Sequence, residues 1–173
     1  RAMGVRTVFN MLGPLSNPAR PPFQVVGAFS ADAARRMAGA LSGLGLTRAF
    51  VVHGARGWDE ATPVGPFLRL DVRAGSVVEE TIDPADLGLP RCSEADLAGG
   101  DAAYNAGRLR AALQGREDGP HRDALVLGAG LALEVSGVAA DTRAGMVLAR
   151  GAIDDGRAAG VLIALAAFDR PEA

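Results

Sequence analysis

The stretch FQVVGAFSADAARRMAGALSGLGLTRAFVVHG, residues 23–54, decides the fold. FQVVGAF (23–29) is a short apolar run of strand length. Ser30 then offers a helix N-cap, and Asp32 places a carboxylate in the first turn, where the helix dipole favours it. The spacing predicts a helix to about Ser42, stopped by Gly43 and Gly45. RAFVVHG (48–54) is a second buried strand. A strand, a helix and a strand in this compass predict a right-handed crossover with parallel strands.

Immediately downstream, GARGWDEATP (54–63) sets Asp59 and Glu60 side by side at the C-terminal end of the second strand. In open α/β sheets that edge is where ligands bind. Adjacent carboxylates after a flexible turn suit a hard divalent cation, which takes one or two carboxylates and leaves its other positions to water and substrate phosphate. A solvated acidic turn is the competing reading of the same dipeptide.

Further along, FLRLDVRAGSVVEETI (67–82) alternates and turns at Ala74-Gly75, which predicts a hairpin. From Asp101 the pattern is helical, over 101–115, 122–137, 142–156 and 157–168. Asp101, after Gly99-Gly100, reads as an N-cap rather than part of a phosphate-binding turn. LVLGAGLAL (125–133) has two glycines of a dinucleotide fingerprint but Leu133 where the third belongs, so it reads as a buried helix with small residues for close packing. Upstream, 1–15 has helical spacing and stops at Gly13-Pro14, and LSNPARPP (15–22) is a proline-stiffened connector. The whole chain, 1–173, reads as one α/β domain: a central sheet with parallel crossover strands plus a hairpin, flanked by helices.

Composition narrows the chemistry. The 173 residues are 49% hydrophobic and carry a net charge of −2, which advertises no polyanion partner and argues against nucleic acid. All basic side chains are Arg, so a lysine phosphate clamp or Schiff base is excluded. With Cys92 alone and only His53 and His121, neither an internal disulfide nor a cysteine or histidine metal cage can form. No apolar run reaches the ~20 residues of a membrane span. A cytoplasmic, reducing location is expected, and no membrane partner. The sequence opens at Arg1, in helix-like sequence, and reads as a fragment or a processed chain.

Four landmarks in order, GVRTVFNMLGPLSNPA (4–19), VVHGARGWDE (51–60), LAGGDAAYNAGRLRAALQG (97–115) and RDALVLGAGLAL (122–133), resemble the C-terminal half of anthranilate phosphoribosyltransferase. The resemblance implies a nucleoside phosphorylase/phosphoribosyltransferase-type C-terminal α/β domain. It further implies transfer of phosphoribosyl from phosphoribosyl pyrophosphate (PRPP) to anthranilate with Mg²⁺ in tryptophan biosynthesis, and a homodimer of the full-length protein. Asp59 and Glu60 match the family's Mg²⁺-binding pair, and Pro14 matches a residue lining the anthranilate route. The family's anthranilate-binding Arg falls one position before Arg1. The helical N-terminal domain and the glycine-rich pyrophosphate loop belong to the part not in this chain, so the 173 residues alone are expected to be inactive. The family's Asn-Ala-Ala is replaced here by Gly128-Ala129-Gly130. A nucleoside phosphorylase-like enzyme, a non-catalytic nucleic-acid-binding relative and a structural domain with a solvated acidic pair stand as alternatives.

Overall fold

The computed structural model describes residue 13 and residues 15–168. Residues 1–12 of the predicted N-terminal helix and the predicted site residue Pro14 lie outside the described residues; Gly13 and Leu15 are helical, so the helix runs past the expected stop at Gly13-Pro14. Four strands, β1 (Phe23–Gly27), β2 (Arg48–His53), β3 (Phe67–Arg73) and β4 (Ser76–Ile82), form one sheet in the order β1-β2-β3-β4. β1 and β2 are parallel, with Val25 opposite Phe50, and the remaining pairs are antiparallel. α1 (Ala31–Ser42) makes the crossover. The Ser30 hydroxyl accepts from the Ala33 amide at 3.1 Å, and the Gly43 amide closes the helix on Ala40 and Leu41. The hairpin turns at Ala74-Gly75, where Gly75 takes a left-handed φ of 69° that residues with side chains rarely adopt.

The sheet is covered on both faces, which explains why Ala49 to Val52 of β2 are all buried. Ala49 and Val51 face α1 and pack with Ala34, Met37, Ala38 and Leu41. Phe50 and Val52 face the other way, toward α3 (Pro120–Val135) and α4 (Thr142–Asp154), and pack with Val126, Leu127, Leu131 and Met146. Two further helices, α2 (Ala102–Leu113) and α5 (Arg157–Ala166), flank this second layer. The Asp101 carboxylate caps α2 by accepting from the Tyr104 amide at 2.8 Å. α3 begins two residues before the expected 122, because Pro120 supplies a first-turn φ and needs no amide partner there.

The glycines of LVLGAGLAL divide by what they touch. A Cβ on Gly145 of α4 would lie 2.5 Å from the Gly130 carbonyl oxygen, so the two helices cross backbone to backbone at this pair. Gly128, two residues before, would meet nothing within 4 Å. Close packing therefore explains Gly130 and leaves Gly128 open.

A buried polar network ties the second layer to the sheet. Glu134, 5% exposed, accepts from Arg69 at 2.7 Å, from Arg48 at 3.2 Å and from the Thr142 hydroxyl at the start of α4. The guanidiniums of Arg48 and Arg69 lie over the Phe50 ring, 4.6 and 4.5 Å from its centre. Arg48 also pairs with Asp71 at 2.6 Å, so no charge in the network is left uncompensated.

Candidate functional site

The C-terminal ends of β1 and β2 lie side by side, and the chain leaving β2 turns back across them. Gly54 donates its amide to the Trp58 carbonyl at 2.8 Å, closing a tight turn through Ala55–Gly57. Arg56 and Gly57 take successive left-handed φ values of 61° and 84°, and this reverses the chain. The reversal seats the acidic dipeptide on two glycines. A Cβ on Gly27 would lie 1.9 Å from the Asp59 carbonyl oxygen, and one on Gly54 would lie 2.0 Å from that of Glu60. Only a residue without a side chain leaves room at either position.

Below this seat, the His53 ring Nδ1 meets the Ala28 carbonyl at 2.8 Å, and the Ala28 amide donates to the Val52 carbonyl at 2.8 Å. His53 is thus a strap between the strand ends. Cys92 is no better placed for chemistry, since burial, aided by Asp96 and Asp123, pushes its thiol above the ordinary range.

Asp59 and Glu60 are both exposed, and neither carboxylate has a hydrogen-bond or ion-pair partner among the described residues. The nearest sequence cation, Arg56, is paired with Glu94 at 3.6 Å. The two acids stand on the rim of a cleft of about 780 Å³ between the strand ends and α3. Trp58 and Thr62 line it from the loop, Leu97 from the following connection, and His121, Leu125 and Gly128 from α3. No Arg lines the cleft among the described residues, so its charged rim is acidic. His121 accepts at Nδ1 from Arg108 at 2.7 Å and is thereby oriented by α2.

The donor set fits Mg²⁺. It consists of two free carboxylates with open volume beside them, and among the described residues no group of three His, Cys, Asp or Glu side chains could cage a softer or fully protein-bound metal. The structure thus brings Asp59 and Glu60 together as expected, on the predicted strand edge. Trp58, Thr62, His121 and the seating glycines were not picked out by sequence reasoning. A glycine ending each of two parallel strands was the available signal for the seat.

The model of the glycosyl transferase family, a/b domain, matches residues 1–159. Anthranilate phosphoribosyltransferase of Chloroflexus aggregans is 48% identical over 174 residues, covering 100% of this chain and 51% of that protein. The Methylocella silvestris protein of the same name is 49% identical over 160 residues, or 92% of this chain and 46% of its own length. The crystal structure of anthranilate phosphoribosyltransferase from Thermus thermophilus superposes with a TM-score of 0.81 at 40% identity, covering 92% of this chain and 46% of that one. A variant of the Saccharomyces cerevisiae enzyme with Mg bound gives 0.81 at 25% identity over 90% of this chain and 45% of its own. The chain spans about half the length of the relatives it matches. An α/β sheet with a crossover, a cleft at its C-terminal edge and a family match over 1–159 lead to one conclusion: the chain belongs to the glycosyl transferase family, of which it carries the a/b domain.

Proposed function

We propose that this chain is the C-terminal part of a phosphoribosyltransferase that moves the phosphoribosyl group of PRPP to anthranilate, with Mg²⁺, in tryptophan biosynthesis. The reading rests on one observation above the others: Asp59 and Glu60 are seated on Gly27 and Gly54 at the strand edge, with their carboxylates unpaired among the described residues. Relatives that are 48% and 49% identical to this chain bear the name of that enzyme.

The reaction breaks the bond between the ribose anomeric carbon and pyrophosphate, and negative charge grows on the leaving group. Mg²⁺, when bound, neutralises that charge. Asp59 and Glu60 hold and orient the ion from the protein side and act neither as nucleophile nor as general base. Trp58 and Leu125 wall the cleft with apolar surface. The absence of Arg from the described lining leaves the cationic phosphate contacts to the portion of the relatives' length not spanned here. Pro14 would line the anthranilate route. A cytoplasmic homodimer of the longer protein completes the proposal.

The test is enzymatic. A polypeptide of the relatives' full length should consume anthranilate in the presence of PRPP and Mg²⁺ and stop when Mg²⁺ is chelated. The 173-residue chain alone should show no turnover. Turnover by the short chain, or none by the long one, contradicts the proposal.

A further inference from the structure

Thr62 is 2% exposed, and its Oγ1 has no hydrogen-bond partner among the described residues. A buried hydroxyl in that condition costs free energy that a valine of the same shape would not. Stability therefore gives no reason for oxygen at this position. The residue lies two positions beyond Glu60, between buried Ala61 and buried Pro63, and lines the same cleft. Within four residues the loop passes from two exposed carboxylates to a buried, unsatisfied hydroxyl on a residue that lines the cleft.

Resting on the phosphoribosyltransferase reading, we infer that Thr62 is a third polar contact of this cleft, its hydroxyl donating to a diphosphate oxygen while Asp59 and Glu60 hold the metal. One 120° step about χ1 carries the threonine hydroxyl into the position that the methyl or the Cβ hydrogen held, and this turns the donor from the packed side to the open one. The division of labour follows from charge. Carboxylates repel a diphosphate and reach it only through a cation, whereas a neutral hydroxyl reaches it directly.

Titration calorimetry with magnesium pyrophosphate, on the full-length enzyme, tests this. The parent protein should bind, Thr62→Ser should bind within about twofold of it, and Thr62→Val should bind roughly tenfold or more weakly. The melting temperature of Thr62→Val should equal or exceed the parent's. Equal binding by Thr62→Val overturns the inference and leaves the phosphoribosyltransferase reading standing. A lowered melting temperature in Thr62→Val overturns it too, because the hydroxyl would then be serving the fold. Absence of binding by the parent protein brings down the reading on which the inference rests, and the inference with it.

Discussion

The missing side chain of Gly27 is occupied by the backbone of Asp59: a Cβ built there falls 1.9 Å from the Asp59 carbonyl oxygen. Gly54 stands in the same relation to Glu60, at 2.0 Å. The end of each parallel strand thus fixes the height of one residue of the acidic pair. Gly27→Ala and Gly54→Ala should each push the acidic loop off the sheet, at about 1–3 kcal/mol of stability from overpacking. Turnover should fall by roughly a hundredfold, since a misplacement near ~1 Å has that effect on a positioned site. Denaturant titration and steady-state kinetics of the two variants check this, and a fully active Gly27→Ala protein would contradict the seating.

Within α3, two glycines should respond with opposite signs. Gly128 meets nothing within 4 Å, so Gly128→Ala should stabilise by up to about 1 kcal/mol through helix propensity. A Cβ on Gly130 would abut Met146 at 2.7 Å and the Thr142 carbonyl at 2.9 Å, so Gly130→Ala should destabilise by about 1–3 kcal/mol. Midpoints of urea unfolding for the pair decide it.

Glu134 is the hub joining α3, α4 and the sheet. Removing it by Glu134→Ala leaves Arg48 and Arg69 short of a buried counter-charge, and the expected cost is about 3–5 kcal/mol. Glu134→Gln keeps acceptor geometry and should cost less. A loss under about 1 kcal/mol for Glu134→Ala in chemical denaturation would show that the network is dispensable.

Acid should erase part of this stability through Asp71. Burial pushes its carboxyl up, but hydrogen bonds from Arg48 and the charges of Arg48, Arg73 and Arg69 outweigh it and hold the group below the ordinary carboxylate range. A group depressed in the folded state contributes stability that is present above its unfolded value near ~3.9 and lost as pH falls through the folded one. Asp71→Asn should therefore cost about 1–3 kcal/mol at neutral pH, with the difference from the parent shrinking below roughly pH 4. Parallel unfolding curves at neutral and acid pH read this directly.

The parts of the fold legible in the sequence are those whose causes are local. Ser30 and Asp101 cap helices because each bonds an amide three residues on, and Ala74-Gly75 turns because Gly75 accepts a positive φ. The position of Asp59-Glu60 at a strand end followed from the same local reading. What stayed hidden depends on distant segments. The cleft exists only once α3 lies against the strand ends, about sixty residues beyond the acidic pair. Neither the solvent-sealed hydroxyl of Thr62 nor the reach of Glu134 to Arg48, 86 residues away, has a mark in its own neighbourhood. The roles of Gly27 and Gly54 emerge only when the loop backbone is laid across them.

The central claim is that Asp59 and Glu60 hold the divalent ion that neutralises the departing pyrophosphate. Its most direct measurement is the Mg²⁺ dependence of PRPP turnover in the full-length enzyme, for the parent and the Asp59→Ala/Glu60→Ala double variant. The expected result is turnover lower by roughly a thousandfold or more, as for loss of several kcal/mol of charge stabilisation, with the fold intact by circular dichroism. A double variant with the parent's rate and the parent's Mg²⁺ dependence would contradict the claim.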